Sequence, residues 1–492
     1  MAKFYITTAI PYVNAPPHIG HALEFVQTDV IARYRRLLGD EVMVATGADE
    51  NSLKNVQAAE KLGIPTAELC ARNAALFKEL ADKIGLSYGA FLRSSAKEEH
   101  WPGVEELWKL CERNGDIYKK KYSGLYCVGC EAFYTESELV EGKCPEHHTK
   151  PERVEEENYF FRLSKYQNEL ESLVESGRLV ILPETRKNEI LSFIRTGLED
   201  FSISRSEKRA HGWGVPVPND PSQIMYVWLD ALSVYMTAVG YGRDGKEFAR
   251  WWPADVHVIG KGIIRFHAVY WPAVLLSAKI GLPRLLFVHG YFTVNGEKMS
   301  KSLGNSVNPT NMIDKYTADG LRYYFIRDSP NFNDSDFTEE GLKDRYNKEL
   351  LGALGNLVNR VLTLAEKAGK SEFSGRKELE EGLALEEIRK RFERFELHEA
   401  LDKTMEFVRS CNAYVNKTEP WKLKGAELEG VLYNLLEGIR ISSILLYPFI
   451  PEASGKISEM LGTEIKSIGD CSFREKFAGK ISKGGHLFEK IE

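Results

Sequence analysis

Short apolar runs and one long periodic run alternate at the start of the chain. Residues 3–10 are dense in β-branched and aromatic side chains and predict a buried strand. Pro11, Asn14, Pro16 and Pro17 then interrupt regular structure. From about Gly20, the residues Val26, Val30, Tyr34 and Leu37 recur at helical spacing, and Gly39 closes the helix. Residues 41–51, EVMVATGADEN, follow as a second strand with a polar end. Strand, loop, helix, strand is the opening of a parallel α/β sheet, whose functional loop lies beyond the first strand.

The pattern changes over residues 116–225, where a cysteine cluster, charged segments and short β-like runs read as an insertion. It resumes near Met225 with three apolar runs, MYVWLDAL, DVHVIGKGII and RLLFVHGYF. Each ends in polar or glycine residues, as strands that lead into an active-site edge do. After about Tyr346 the strand signals fade. Leu350, Leu354, Leu357, Val361 and Leu364 recur at three- and four-residue steps, as do apolar residues over 432–446, which predicts an all-α helix bundle.

Composition narrows the class. With 492 residues the chain has room for several domains. No apolar run reaches the roughly 20 residues that span a bilayer, and the N-terminus has no basic start, apolar stretch or small-residue cleavage site. A cytoplasmic protein that does not enter a membrane is expected. A net charge of −6 argues against a chain that grips nucleic acid over its whole surface, so any RNA contact must be local. The basic run Lys119, Lys120, Lys121 reads as solvated charge. Cys70, Cys111, Cys411 and Cys471 stand singly, which suits reduced thiols.

Three groups of residues carry chemistry. Cys127 and Cys130, then Cys144 and His147, form two hooks of x-x spacing that match one tetrahedral zinc site; His148 is an alternative ligand beside His147. Four protein ligands leave no open position, so this zinc would be structural. His18 and His21 flank Gly20 where the first helix begins, and the helix points its amide groups and positive dipole end at this loop, a place suited to polyphosphate. Lys298, Met299, Ser300, Lys301 and Ser302 follow Gly296. Their ammonium and hydroxyl groups on a glycine-flanked loop suit the charge that develops as pyrophosphate leaves ATP.

Together, His18-Ile19-Gly20-His21 and Lys298-Met299-Ser300-Lys301-Ser302 resemble the HIGH and KMSKS signatures of class I aminoacyl-tRNA synthetases. The run Ile10-Pro11-Tyr12-Val13-Asn14, the segments YVWLDA at 226–231 and GKGIIRFH at 260–267, Trp271-Pro272, WGVPVP at 213–218 and KMSKSLGN resemble the methionyl branch. The resemblance covers nearly the whole chain. It implies an α/β fold: a Rossmann-type parallel-sheet catalytic domain with a zinc-bearing insertion, followed by an all-α bundle. The expected division has residues 1–115 and 226–297 as the two halves of the catalytic domain. Residues 116–225 form the insertion, with the zinc knuckle at about 126–148; 298–345 form the KMSKS loop and stem-contact region; 346–492 form the anticodon-binding domain.

The resemblance further implies a methionine–tRNA ligase. Methionine attacks the α-phosphorus of ATP, accompanied by Mg²⁺, and the methionyl group then passes to the terminal adenosine of tRNA(Met). His18, His21, Lys298 and Lys301 would be catalytic, and they would hold ATP with Gly20 and Ser300. Ile10, Tyr12, Trp228, Leu232, Tyr235, Ile263, His267 and Trp271 would form the methionine pocket, with Asp49 pairing the ammonium group. Asn356, Arg360 and Trp421 would read the anticodon by stacking and edge hydrogen bonds. The chain departs from the branch at Asp49-Glu50-Asn51-Ser52, where Asp-Glu-His-Gly is usual. Another class I synthetase, for isoleucine, valine, leucine or cysteine, and a catalytically silent tRNA-binding paralogue are the alternatives. The chain closes near where the family core does, so a monomer without an appended domain is expected.

Overall fold

The computed structural model describes residues 2–129, 132–146, 148–294, 296–298, 306–329 and 332–492, the side chains of Tyr122, Ala132, Ser137, Glu297 and Lys298 excepted. Its centre is a six-stranded, all-parallel sheet. The strands are β1 (Lys3–Thr8), β2 (Glu41–Ala48), β3 (Ala90–Arg93), β4 (Val180–Leu182), β5 (Val256–Gly260) and β6 (Leu285–His289). Their order is β3-β2-β1-β5-β6-β4. Ile6 of β1 sits between Val44 and Val256. Strands covered on both faces read as continuous apolar runs, as β1 and β5 do.

The chain leaves β1 for β2 and β3 on one side and later returns on the other, so strand order reverses between β1 and β5. A crevice opens beyond the carboxyl ends of strands at such a point. Helix α1 (Ile19–Leu37) follows β1, and α2 (Val227–Thr237) precedes β5. The segment expected as an insertion folds mostly as antiparallel sheet built on strands Ile117–Cys127 and Glu152–Phe161, but it also supplies β4 to the parallel sheet. The run MYVWLDAL, expected as a strand, is instead a short strand end followed by α2. A brief, fully buried apolar run carries no period that separates the two, and here nearly all of α2 is buried.

Helix α3 (Pro309–Asp328) leads from the sheet to the bundle, formed by α4 (Asn356–Ala368), α5 (Leu397–Thr418), α6 (Gly425–Leu446) and α7 (Pro451–Leu461). The leucine stripe holds: Leu350, Leu354, Leu357 and Val361 are buried, while Leu364 is only partly so. One apolar core runs without a break from α1, through Tyr316 to Ile326, into the bundle; a second lies under the opposite sheet face around Trp108, Tyr235 and Trp271. Among the described residues no helix is long and apolar enough to cross a membrane.

A buried charge node locks bundle to sheet. Asp29 of α1 and Arg322 of α3, both fully buried, pair at 2.8 Å. Arg322 also donates to the carbonyls of Ile84, Pro448 and Phe449. Asp29 accepts from Arg33 at 2.6 Å and from the Ser87 amide at 2.8 Å. Burial alone would raise the Asp29 carboxyl, but Arg322 and Arg33 outweigh it and hold it below the ordinary carboxylate range. Arg322→Met strips a cation from a buried carboxylate and three donors from carbonyls, and should cost about 3–5 kcal/mol. Thermal melting should show a clear drop in midpoint; Arg322→Lys should recover only part, because an ammonium cannot fork to several acceptors.

Candidate active site

The strand ends build the site. A cleft of about 590 Å³ lies where β1, β2, β5 and β6 finish, and Ala9, Ile10, Asp49, Gly260 and His289, which end or directly follow those strands, line it. Its rim is the start of α1, with His18, Gly20 and His21. Tyr12, Trp228 and Ile263 complete the wall expected to take methionine.

The two histidines are held by the helix they open. His18 caps α1, and its Nδ1 accepts the Gly20 amide at 3.1 Å. The His21 Nδ1 in turn accepts the His18 amide at 3.1 Å. Their rings stack 3.9 Å apart, and His21 meets Phe77 edge-on. Burial, then the nearby His18 and His289, pushes the His21 pKa well below its ordinary value. With Nδ1 committed as acceptor, a neutral His21 carries its proton on Nε2. The pair thus offers N–H donors beside the positive end of a helix without the cost of burying an imidazolium.

The described flanks of the lysine–serine segment border the same place. Met299, Ser300 and Lys301 lie outside the described residues, and of Lys298 only the backbone is described. Both flanks are placed, however. Strand Glu297–Lys298 pairs with Phe292–Val294, and Phe292 lines the cleft. On the other side Ser306 lines it too, and the Val307 carbonyl accepts the Ile19 amide at 3.2 Å. Two segments far apart in sequence therefore meet at one cleft mouth.

Not every residue expected in the methionine pocket reaches the cleft. Trp228 stacks flat on Phe266, 3.8 Å between centroids, and meets Tyr12 edge-on at 6.2 Å. Leu232, Tyr235, His267 and Trp271 sit behind this wall. Burial lowers the His267 pKa to about 4, so the ring is neutral. It bonds the Ile263 carbonyl through Nδ1 at 2.9 Å and the Tyr235 hydroxyl through Nε2 at 2.8 Å. Its described contacts fix neighbours. These residues lie on α2 and on helical turns after β5, and not at strand ends as the sequence pattern suggested.

The cleft also holds residues that sequence reading passed over: Glu24, His289, Gly290 and Tyr291. Glu24 accepts the Ala9 amide at 2.8 Å and lies 2.9 Å from His289 Nε2, bracing β1 against β6. Its signal was present, since it stands three residues after His21 on one helix face.

Two further groups of residues expected to carry chemistry are separate from the cleft. Cys127 and Cys144 are both buried and converge on Thr149: the Cys127 sulfur is 3.7 Å from its hydroxyl, and the Cys144 amide donates to its carbonyl at 2.9 Å. Cys130 and His147 lie outside the described residues, and His148 follows them with its amide on the Cys144 carbonyl. The Cys144 sulfur itself lies 3.7 Å from the Tyr134 hydroxyl; among the described residues no cluster of three or more His, Cys, Asp or Glu could hold a metal ion. In the bundle, Trp421 is 51% exposed, which is unusual for so large an apolar side chain, and the Arg360 guanidinium lies 5.5 Å from its ring centre. Asn356 is exposed on the same helix as Arg360.

Comparison with known proteins agrees with this geometry. A family model described as tRNA synthetases class I (M) matches residues 4–154 and 147–362, and one described as anticodon-binding domain of tRNA ligase matches 382–490. The methionine–tRNA ligase of Mycobacterium bovis is 41% identical over 94% of this chain and 92% of its own. That of Brucella suis is 42% identical over 93% and 92%. The solved Mycobacterium tuberculosis methionyl-tRNA synthetase in complex with methionyl-adenylate matches with a TM-score of 0.94 at 39% identity, covering 99% of this chain and 100% of that one. By sequence and by fold, this chain belongs to the methionyl-tRNA synthetase family of class I tRNA synthetases.

Proposed function

We propose that the cleft joins methionine to ATP, releasing pyrophosphate, and that the chain then transfers the methionyl group to the terminal adenosine of tRNA(Met). The observation that carries this reading is the meeting, at the β1–β5 switch point, of the imidazole pair with Tyr12, Asp49 and Trp228. No covalent enzyme intermediate is required; positioning and charge stabilisation suffice for in-line attack by the carboxylate on the α-phosphorus. His18, Gly20 and His21 take the phosphates of Mg²⁺-ATP. Lys298, Ser300 and Lys301 close over them as pyrophosphate leaves. Asp49 pairs the ammonium group, and Ile10, Tyr12, Trp228 and Ile263 surround the thioether, which packs well on aromatic faces. Leu232, Tyr235, His267 and Trp271 shape that wall from behind. A structural zinc held by Cys127, Cys130, Cys144 and His147 staples the insertion. Asn356, Arg360 and Trp421 read the anticodon, and the chain works as a cytoplasmic monomer.

An ATP–pyrophosphate exchange assay across the amino acids tests the central claim. Methionine should drive exchange, and isoleucine, valine, leucine and cysteine should not; exchange with none of them would leave a silent tRNA-binding protein. Trp421→Ala should lower tRNA charging by roughly 10- to 100-fold, the worth of one stacked base, and leave exchange within about twofold. Equal loss of both would remove Trp421 from the anticodon.

Metal analysis of the purified chain should give about one zinc per chain. Cys144→Ser should lose it and lower the melting midpoint, while the unaltered chain should keep it through dialysis against a weak chelator.

A further inference from the structure

Asp49 and Trp228 both line the cleft, one from each half of the chain. Two residues beyond each stands a buried polar side chain that does not line it: Asn51 after Asp49, Asp230 after Trp228. These two bond to one another. The Asn51 amide donates to Asp230 Oδ2 at 2.8 Å and, with the same nitrogen, to the Ser94 carbonyl at 3.0 Å. The second Asp230 oxygen lies 2.7 Å from His100 Nε2, and His100 Nδ1 lies 2.7 Å from the Thr237 hydroxyl at the far end of α2. Asp230 is 1% exposed and His100 fully buried. A buried carboxylate with partners on two other segments is a rigid joint, because each bond is charge-assisted and water cannot replace it.

We propose that Asn51 is a positioning residue for methionine, clasping the strand end that carries Asp49 to the helix that carries Trp228. The inference rests on the assignment of Asp49 and Trp228 to the methionine site. Methionine is the ligand that must touch both walls at once, with its ammonium group on one and its thioether on the other. The span between these groups is fixed by the amino acid, so the walls must be held at a matching distance. The contacts proposed for ATP at the start of α1 do not include this joint. The backbone of Asp49 is secured separately, through the Pro11 carbonyl and the Val13 amide. What the Asn51 side chain adds is the tie to α2. It does so at the position where the chain departs from the usual histidine of its branch: an amide N–H meets the Asp230 carboxylate.

The test uses the full chain, with exchange kinetics measured as methionine and ATP are varied separately. Asn51→Ala removes the donor, and Asn51→Asp keeps the shape but sets a carboxylate against Asp230. The methionine KM should rise about tenfold in Asn51→Ala, the worth of one charge-assisted bond, and further in Asn51→Asp; kcat and the ATP KM should stay within about threefold. Asn51→Ala decides the matter if Asn51→Asp does not fold. Asp49→Asn, measured alongside, should also raise the methionine KM. An unchanged methionine KM in the Asn51 variants, with a raised one in Asp49→Asn, overturns the clasp but leaves the methionine site standing. Methionine and ATP KM rising together overturns it in favour of a general structural role. An unchanged methionine KM in Asp49→Asn overturns the clasp and the site assignment together.

Discussion

A guanidinium sealed inside the protein must satisfy its charge and all its donors there, and this requirement ties the architecture together. Arg322 spends its donors on Asp29 of α1, on the Ile84 carbonyl beside the parallel sheet and on the Pro448 and Phe449 carbonyls that follow α6. Helix α1 is the same helix whose first turn holds His18 and His21. The active-site helix, the helix leading to the bundle and the bundle itself therefore share one joint, embedded in one continuous apolar core. A site for the acceptor end of an RNA and a site for its anticodon must be held at a fixed separation, and a rigid buried node does this better than a solvated linker.

Within the cleft, the chemistry follows from which groups stay neutral and which keep their charge. His21 is half-buried and its surroundings hold its pKa well below the ordinary value, so it can donate a hydrogen bond to phosphate without a desolvated cation at rest. Positive charge comes instead from the end of α1, and both described flanks of the lysine–serine segment border the cleft.

The residues proposed to surround methionine show how far the sequence reaches. Ile10, Tyr12, Asp49, Trp228 and Ile263 could be named from motif runs, and all five line the cleft. The motif runs also named His267 and Tyr235, but local sequence carries no measure of depth, and these two bond each other behind the wall. Glu24 and His289 were passed over because each becomes meaningful only through the other, across a separation of 265 positions. The Asn51–Asp230 contact, spanning 179 positions, was equally out of reach.

By itself the sequence determined the parallel α/β opening and the helical C-terminal third, and it carried the paired cysteine hooks and the two class I signature segments. Each of these is written in local spacing, where the period of apolar residues or the reach of a short hook sets the outcome. Tertiary structure alone decided that MYVWLDAL continues as a helix, that residues 180–182 join the main sheet, and that the strand ends meet at one cleft. The reason is physical: burial removes the polar face that gives a sequence its period, and strand order is set by packing between segments that carry no record of one another.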